Sequence, residues 1–138
     1  MSHIIRQLTL CFMILALVAT AFAYTTDQAT NGKELFVKNC AFCHGANGTG
    51  GTVPEQFGKL AGLEAPPLVG PGFLPGMKTV GEVYDFASKY MPANKPGSLK
   101  SSEYLDIISF ALQANGIKPD GNPLTPDSAQ EIKLPGSK

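Results

Sequence analysis

The chain has 138 residues, 43% of them hydrophobic and 16% charged, and its 11 basic and 11 acidic side chains balance to a formal net charge of zero. That is enough chain for one domain with a modest core. Balanced charge argues against nucleic acid or an anionic membrane surface as partner, so partners must be chosen by shape and local patches, with weak long-range steering.

The N-terminus reads as an export signal. Arg6 is followed by an apolar run from Leu8 to Ala19, which closes in Ala21-Phe22-Ala23, a small-x-small pattern that a signal peptidase accepts. The run is too short for an ordinary membrane span, which needs about 20 apolar residues. Cys11 lies inside it with no small residue just before, which disfavours lipoprotein processing there. Residues 1–23 are therefore expected to be removed on export. The mature chain, Tyr24 to Lys138, then keeps Cys40, Cys43 and a single histidine, His44. Two cysteines so close in sequence make a poor disulfide framework, and one histidine with two cysteines cannot complete a structural zinc site.

The first predicted helix runs from about Asn31 to Asn39, with Asn31 and Glu34 in a capping-box arrangement and Leu35 and Phe36 on the apolar face. Gly32, one turn before Phe36, marks either the helix end or a close helix crossing. From Gly45 to Gly76 the chain is rich in Gly and Pro and lacks a helix or strand period. So long a loop makes sense in a small domain if it wraps a rigid group that supplies the missing core. A second helix is expected from Thr79 to about Tyr90, where Val80, Val83, Tyr84 and Ala87 recur at helical spacing, with Glu82 placed for a capping box and Pro92 beyond the end. The third should start at Ser101 or Ser102, bury Leu105, Ile108 and Leu112, and stop at Asn115-Gly116. Residues 117–138 carry four prolines and few apolar anchors, Leu124, Ile132 and Leu134 being the best, and are expected to form an extended tail on the surface.

The chemistry concentrates at Cys40-Ala41-Phe42-Cys43-His44, the c-type haem attachment pattern. One helical turn between the cysteines lets both thiols meet vinyl groups on one porphyrin edge, and a histidine next in sequence reaches the iron as proximal ligand. A thioredoxin-like pair would need a strand before it and a βαβ context, which this sequence lacks. With no second histidine in the mature chain, a methionine thioether is the expected sixth ligand. Met91, held in a non-helical segment by Pro92, is favoured over Met77. An iron ligated by His44 and Met91 has no open position for substrate, which implies an electron carrier and not an enzyme in its own right.

Together these residues resemble the small class I cytochrome c family, from about Asn31 to Gly116. The resemblance implies an all-α cytochrome c fold: a domain over residues 24–116 with three main helices and long Gly/Pro-rich loops around one covalent haem c. It implies that Gly32 and Phe36 cross the third helix near Phe110, that Met91-Pro92 is the methionine-ligand motif, and that a proline carbonyl in Pro66-Pro67-Leu68-Val69-Gly70, Pro67 being preferred, accepts the His44 Nδ1–H. Thr79-Val80-Gly81-Glu82, Tyr90-Met91-Pro92 and Pro96-Gly97-Ser98-Leu99 are further similar to cytochromes serving pyrroloquinoline-quinone (PQQ) alcohol dehydrogenases. That likeness implies a periplasmic role, taking electrons from such an enzyme and passing them toward a terminal oxidase or another cytochrome. Two alternatives are a haem protein with a displaceable Met91 that binds a small ligand or reduces peroxide, and a dedicated haem subunit of a quinoprotein dehydrogenase complex.

Overall fold

The computed structural model describes residues 23–135. The expected export signal, with Cys11 and His3, therefore lies outside the described residues apart from Ala23. That residue, expected to leave with the signal, is buried, and its amide donates to Asp120 Oδ2 at 3.1 Å.

Helix α1 spans Thr26–Asn39 and begins ahead of the expected Asn31. Thr25 caps it: its Oγ1 accepts from the Gln28 amide at 3.1 Å, and Gln28 Oε1 accepts from the Thr25 amide at 3.2 Å. This box has the same chemistry as the one expected at Asn31 and Glu34, one turn and a half upstream. A short helical turn, α2 (Ala41–His44), follows directly. Helix α3 spans Val80–Tyr90; Thr79 Oγ1 accepts from the Glu82 amide, while the Glu82 carboxylate reaches back past the cap to the Lys78 amide at 2.6 Å. Helix α4 spans Ser101–Ala114. Neither serine caps it. Lys100 holds the N-cap position, its amide donating to Glu103 Oε2 at 2.7 Å, and Ser101 Oγ instead pairs with the Tyr84 hydroxyl at 2.8 Å.

The packing centres on the crossing of α1 and α4. A Cβ on Gly32 would stand 1.8 Å from the Asp106 carbonyl oxygen, so the glycine marks a close backbone approach. One turn on, the Phe36 and Phe110 rings meet with centroids 5.1 Å apart and a 40° tilt, a favourable aromatic geometry. Val80 and Val83 of α3 and Leu105, Ile108 and Leu112 of α4 form the centre of the core.

Residues 117–135 do not form a surface tail. Thr125 caps a further helix, α5 (Pro126–Glu131), with proline in its first turn. Leu124, Ala129, Ile132 and Leu134 are all buried in the main core, beside Tyr24 and Val80. Backbone bonds clamp the segment down: the Val80 amide donates to Ile132 O at 2.9 Å and the Leu134 amide to Lys78 O at 2.9 Å. At the other side Gln28 Nε2 donates to Leu124 O and Gln28 Oε1 accepts from the Leu124 amide, while the Tyr24 hydroxyl donates to Ile117 O. The same apolar residues that looked too sparse for a core supply its missing side.

The long loop also has internal order. Strands β1 (Gly51–Thr52) and β2 (Glu64–Ala65) pair antiparallel, Gly51 opposite Ala65, around two 3₁₀ turns within Glu55–Leu60 that meet at Gly58. Elsewhere an isolated antiparallel bridge joins Thr79 to Lys133. The fold is all-α, as expected.

Candidate haem-binding site

Between the long loop, α3 and α4 lies a cavity of about 650 Å³, within the range of about 300–1,000 Å³ typical of cofactor pockets. Its walls are largely apolar, with Val53, Leu68 and Ile107 among them, and Cys40, Cys43, His44 and Met91 all reach it.

α2 gathers Cys40, Cys43 and His44 on one side of the cavity. The Cys43 and His44 amides both donate to the Cys40 carbonyl, at 3.1 and 3.0 Å, so Cys40, Cys43 and His44 share one tight turn. The two thiols are unbridged. Burial, reinforced by the neighbouring Cys43 charge, pushes the Cys40 thiol up to about 11, and burial raises Cys43 as well. Both groups are therefore protonated at neutral pH, as S–H groups able to add across a vinyl bond.

His44 is 8% exposed, and its Nδ1 lies 2.9 Å from the Pro66 carbonyl oxygen. A carbonyl can only accept, so the proton sits on Nδ1 and the Nε2 lone pair is left for a metal. The acceptor is Pro66 and not the expected Pro67. The Pro67 carbonyl is already used by the Leu74 amide at 3.0 Å, and Pro67 does not line the cavity.

The segment carrying Pro66 is held on both sides. Gly48 O accepts from the Leu68 and Val69 amides at 2.7 and 2.9 Å. Asn115, legible in sequence only as a helix stop, donates from Nδ2 to Leu68 O at 2.9 Å and to Ala111 O, while its Oδ1 accepts from the Gly70 amide at 2.9 Å. Asn115→Ala strands the Leu68 carbonyl and the Gly70 amide in a part-buried place. It should lower stability by about 1–3 kcal/mol in guanidinium unfolding of the haem-loaded protein.

Both methionines reach the cavity. Met77 packs against the hydrophobic core, as a gap-filling methionine does. Met91 lies outside that core cluster, at the end of α3 in an extended conformation (φ −114°, ψ 154°). Among the described residues no group of three His, Cys, Asp or Glu side chains could hold a metal, so the donors on offer are one imidazole and the thioethers. This donor set fits haem iron. No helix among the described residues is long and apolar enough to cross a membrane.

A mainly helical shell around an apolar slot, with the attachment pentapeptide on its wall, defines a c-type cytochrome, an electron-transfer domain that carries haem c covalently. The chain belongs to the family of cytochrome c oxidase, cbb3-type, subunit III, whose model matches residues 27–110. It is 32% identical over 83 residues to a thiosulfate dehydrogenase of Psychrobacter arcticus, an alignment covering 58% of this chain and 24% of that protein. The fold is similar to the crystal structure of the sulfane dehydrogenase SoxCD from Paracoccus pantotrophus, with a TM-score of 0.53 and 26% identity over 86% of this chain and 63% of the other. The chain thus spans about a quarter of the curated relative and less than two thirds of the structural one.

Proposed function

We propose that the protein shuttles single electrons on a haem c joined by thioethers to Cys40 and Cys43 and ligated by His44 and Met91. The observation that carries this reading is the convergence of the four side chains on one apolar cavity, with His44 already turned so that Nε2 is the free nitrogen. The haem supplies an iron that changes oxidation state by one electron. The chain supplies the rest. Pro66 holds the imidazole tautomer and raises its basicity, Met91 offers a weak thioether donor that favours the reduced state, and the apolar walls keep water out. Phe42, 60% exposed between the two cysteines, and the exposed Leu63 make an apolar rim at which a redox partner can dock.

Export to the periplasm follows from the N-terminal signal. The donor is a dehydrogenase, and the acceptor a terminal oxidase or another cytochrome. The relatives named for thiosulfate and sulfane favour a sulfur-compound dehydrogenase over a PQQ alcohol dehydrogenase. Because the chain matches only part of each relative, a dedicated haem subunit is the second reading; tight co-purification with a dehydrogenase distinguishes it from a diffusing shuttle.

The test is a pair of variants in the oxidised, haem-loaded protein. Met91→Ala should abolish the near-red methionine-to-iron charge-transfer absorption and lower the reduction potential, while Met77→Ala should leave both in place. The reverse pattern would move the ligand to Met77, and a colourless protein with two free thiols would end the reading.

A further inference from the structure

Met91 is gripped through its backbone. Its amide donates to Ala87 O at 2.9 Å, closing α3. Its carbonyl accepts two bonds, from the Gly97 amide at 3.2 Å and from the Tyr104 hydroxyl at 2.6 Å. Tyr104 sits in the first turn of α4, is 4% exposed, and lines the same cavity as Met91. Its hydroxyl also accepts from the Leu99 amide at 3.4 Å. One phenol thus joins the residue at the end of α3, the segment running from it to α4, and α4 itself.

We propose that Tyr104 is the positioning residue for Met91, holding its peptide so that the thioether is presented to the iron before the bond forms. The inference rests on the reading of Met91 as axial ligand. Pro92 fixes the backbone on one side, having no amide hydrogen and a locked φ, and the α3 bond fixes it on the other. With the carbonyl clamped as well, the only freedom left is in the Met91 side-chain torsions. The ordering cost of ligation is then met largely by the fold. Without the phenol the carbonyl keeps only the longer Gly97 bond, and the ligand arm can swing away more easily.

Tyr104→Phe keeps ring and volume and removes only the hydroxyl, so the haem-loaded variant should fold. The control is Tyr84→Phe, which deletes a hydroxyl that also links α3 to α4, through Ser101 Oγ, yet does not touch Met91. The readouts are the near-red charge-transfer absorption and the affinity of the oxidised protein for added imidazole, which must displace the thioether. Tyr104→Phe should weaken the absorption and tighten imidazole binding about 3- to 10-fold, the share of one hydrogen bond in holding the ligand. Tyr84→Phe should change neither. The proposal is overturned if Tyr104→Phe matches the parent protein, or if Tyr84→Phe shifts both readouts as far. Met91→Ala, run alongside, separates the two levels: if it keeps the absorption, the ligand assignment fails and this inference with it; if it loses the absorption while Tyr104→Phe is silent, only the inference fails.

Discussion

Gly32→Ala is expected to destabilise the haem-loaded protein by about 3 kcal/mol or more, at the upper end of the overpacking range. The added Cβ would meet the Asp106 carbonyl oxygen at 1.8 Å, its carbon at 2.3 Å and the Ile107 nitrogen at 2.9 Å. All three are backbone atoms of α4, so no side-chain rotation relieves the clash. The helices must separate, and the Phe36–Phe110 stack one turn away must loosen with them. Against a total stability of about 5–15 kcal/mol this is a large loss. Gly81→Ala provides the contrast. There the atoms nearest the added Cβ all belong to the end of the Gln130 side chain, which is exposed and can swing aside, and alanine suits a helix better by about 1 kcal/mol. Guanidinium unfolding of both variants should separate them by several kcal/mol. Equal midpoints would mean that α1 and α4 do not cross at Gly32.

Removing residues 117–138 should abolish cooperative folding. Leu124, Ile132 and Leu134 are each 8% exposed or less, and burying such side chains contributes about 1.5–3 kcal/mol apiece. Their combined loss is comparable with the whole stability of a small domain, even allowing for the compactness of real unfolded chains. Deletion also uncovers Tyr24 and Val80, which are now fully buried, and removes the two Leu124 bonds of the Gln28 side chain. The check is a thermal melt with limited proteolysis of the truncated, haem-loaded protein. A sharp transition within a few degrees of the full chain would show that the segment is dispensable.

These two cases mark where sequence was informative and where it was not. The Cys40–His44 pentapeptide stands out in the sequence by its spacing, and the structure brings both thiols and the imidazole to one cavity. Helices α3 and α4 were readable because their apolar residues keep one face over several turns. The start of α1 differs because Thr25–Gln28 and Asn31–Glu34 offer equivalent capping patterns, and the packing of Ala29 in the core and the Gln28–Leu124 bonds favour the earlier one. Leu124, Ile132 and Leu134 stand out as apolar anchors, yet their partners Tyr24 and Val80 are remote in sequence and leave no local signal. The choice between Pro66 and Pro67 depends on which carbonyl the turn to Leu74 consumes, a matter of backbone direction that residue types do not encode. Asn115 hid its second role behind its first: any helix stop explains it until the Leu68 and Gly70 backbone groups are seen beside it.

Tyr104 near the start of α4 and Asn115 just past its end are separated by about 16 Å of helix, taking 1.5 Å per residue. The first grips the carbonyl of Met91 and the second grips the segment whose Pro66 meets His44. Both sides of the cavity are therefore tied, among their other bonds, to one helix, and Gly32 bears on that helix at Asp106, between the two attachment points. A displacement at the helix crossing would be passed to the Met91 side and to the His44 side of the cavity together.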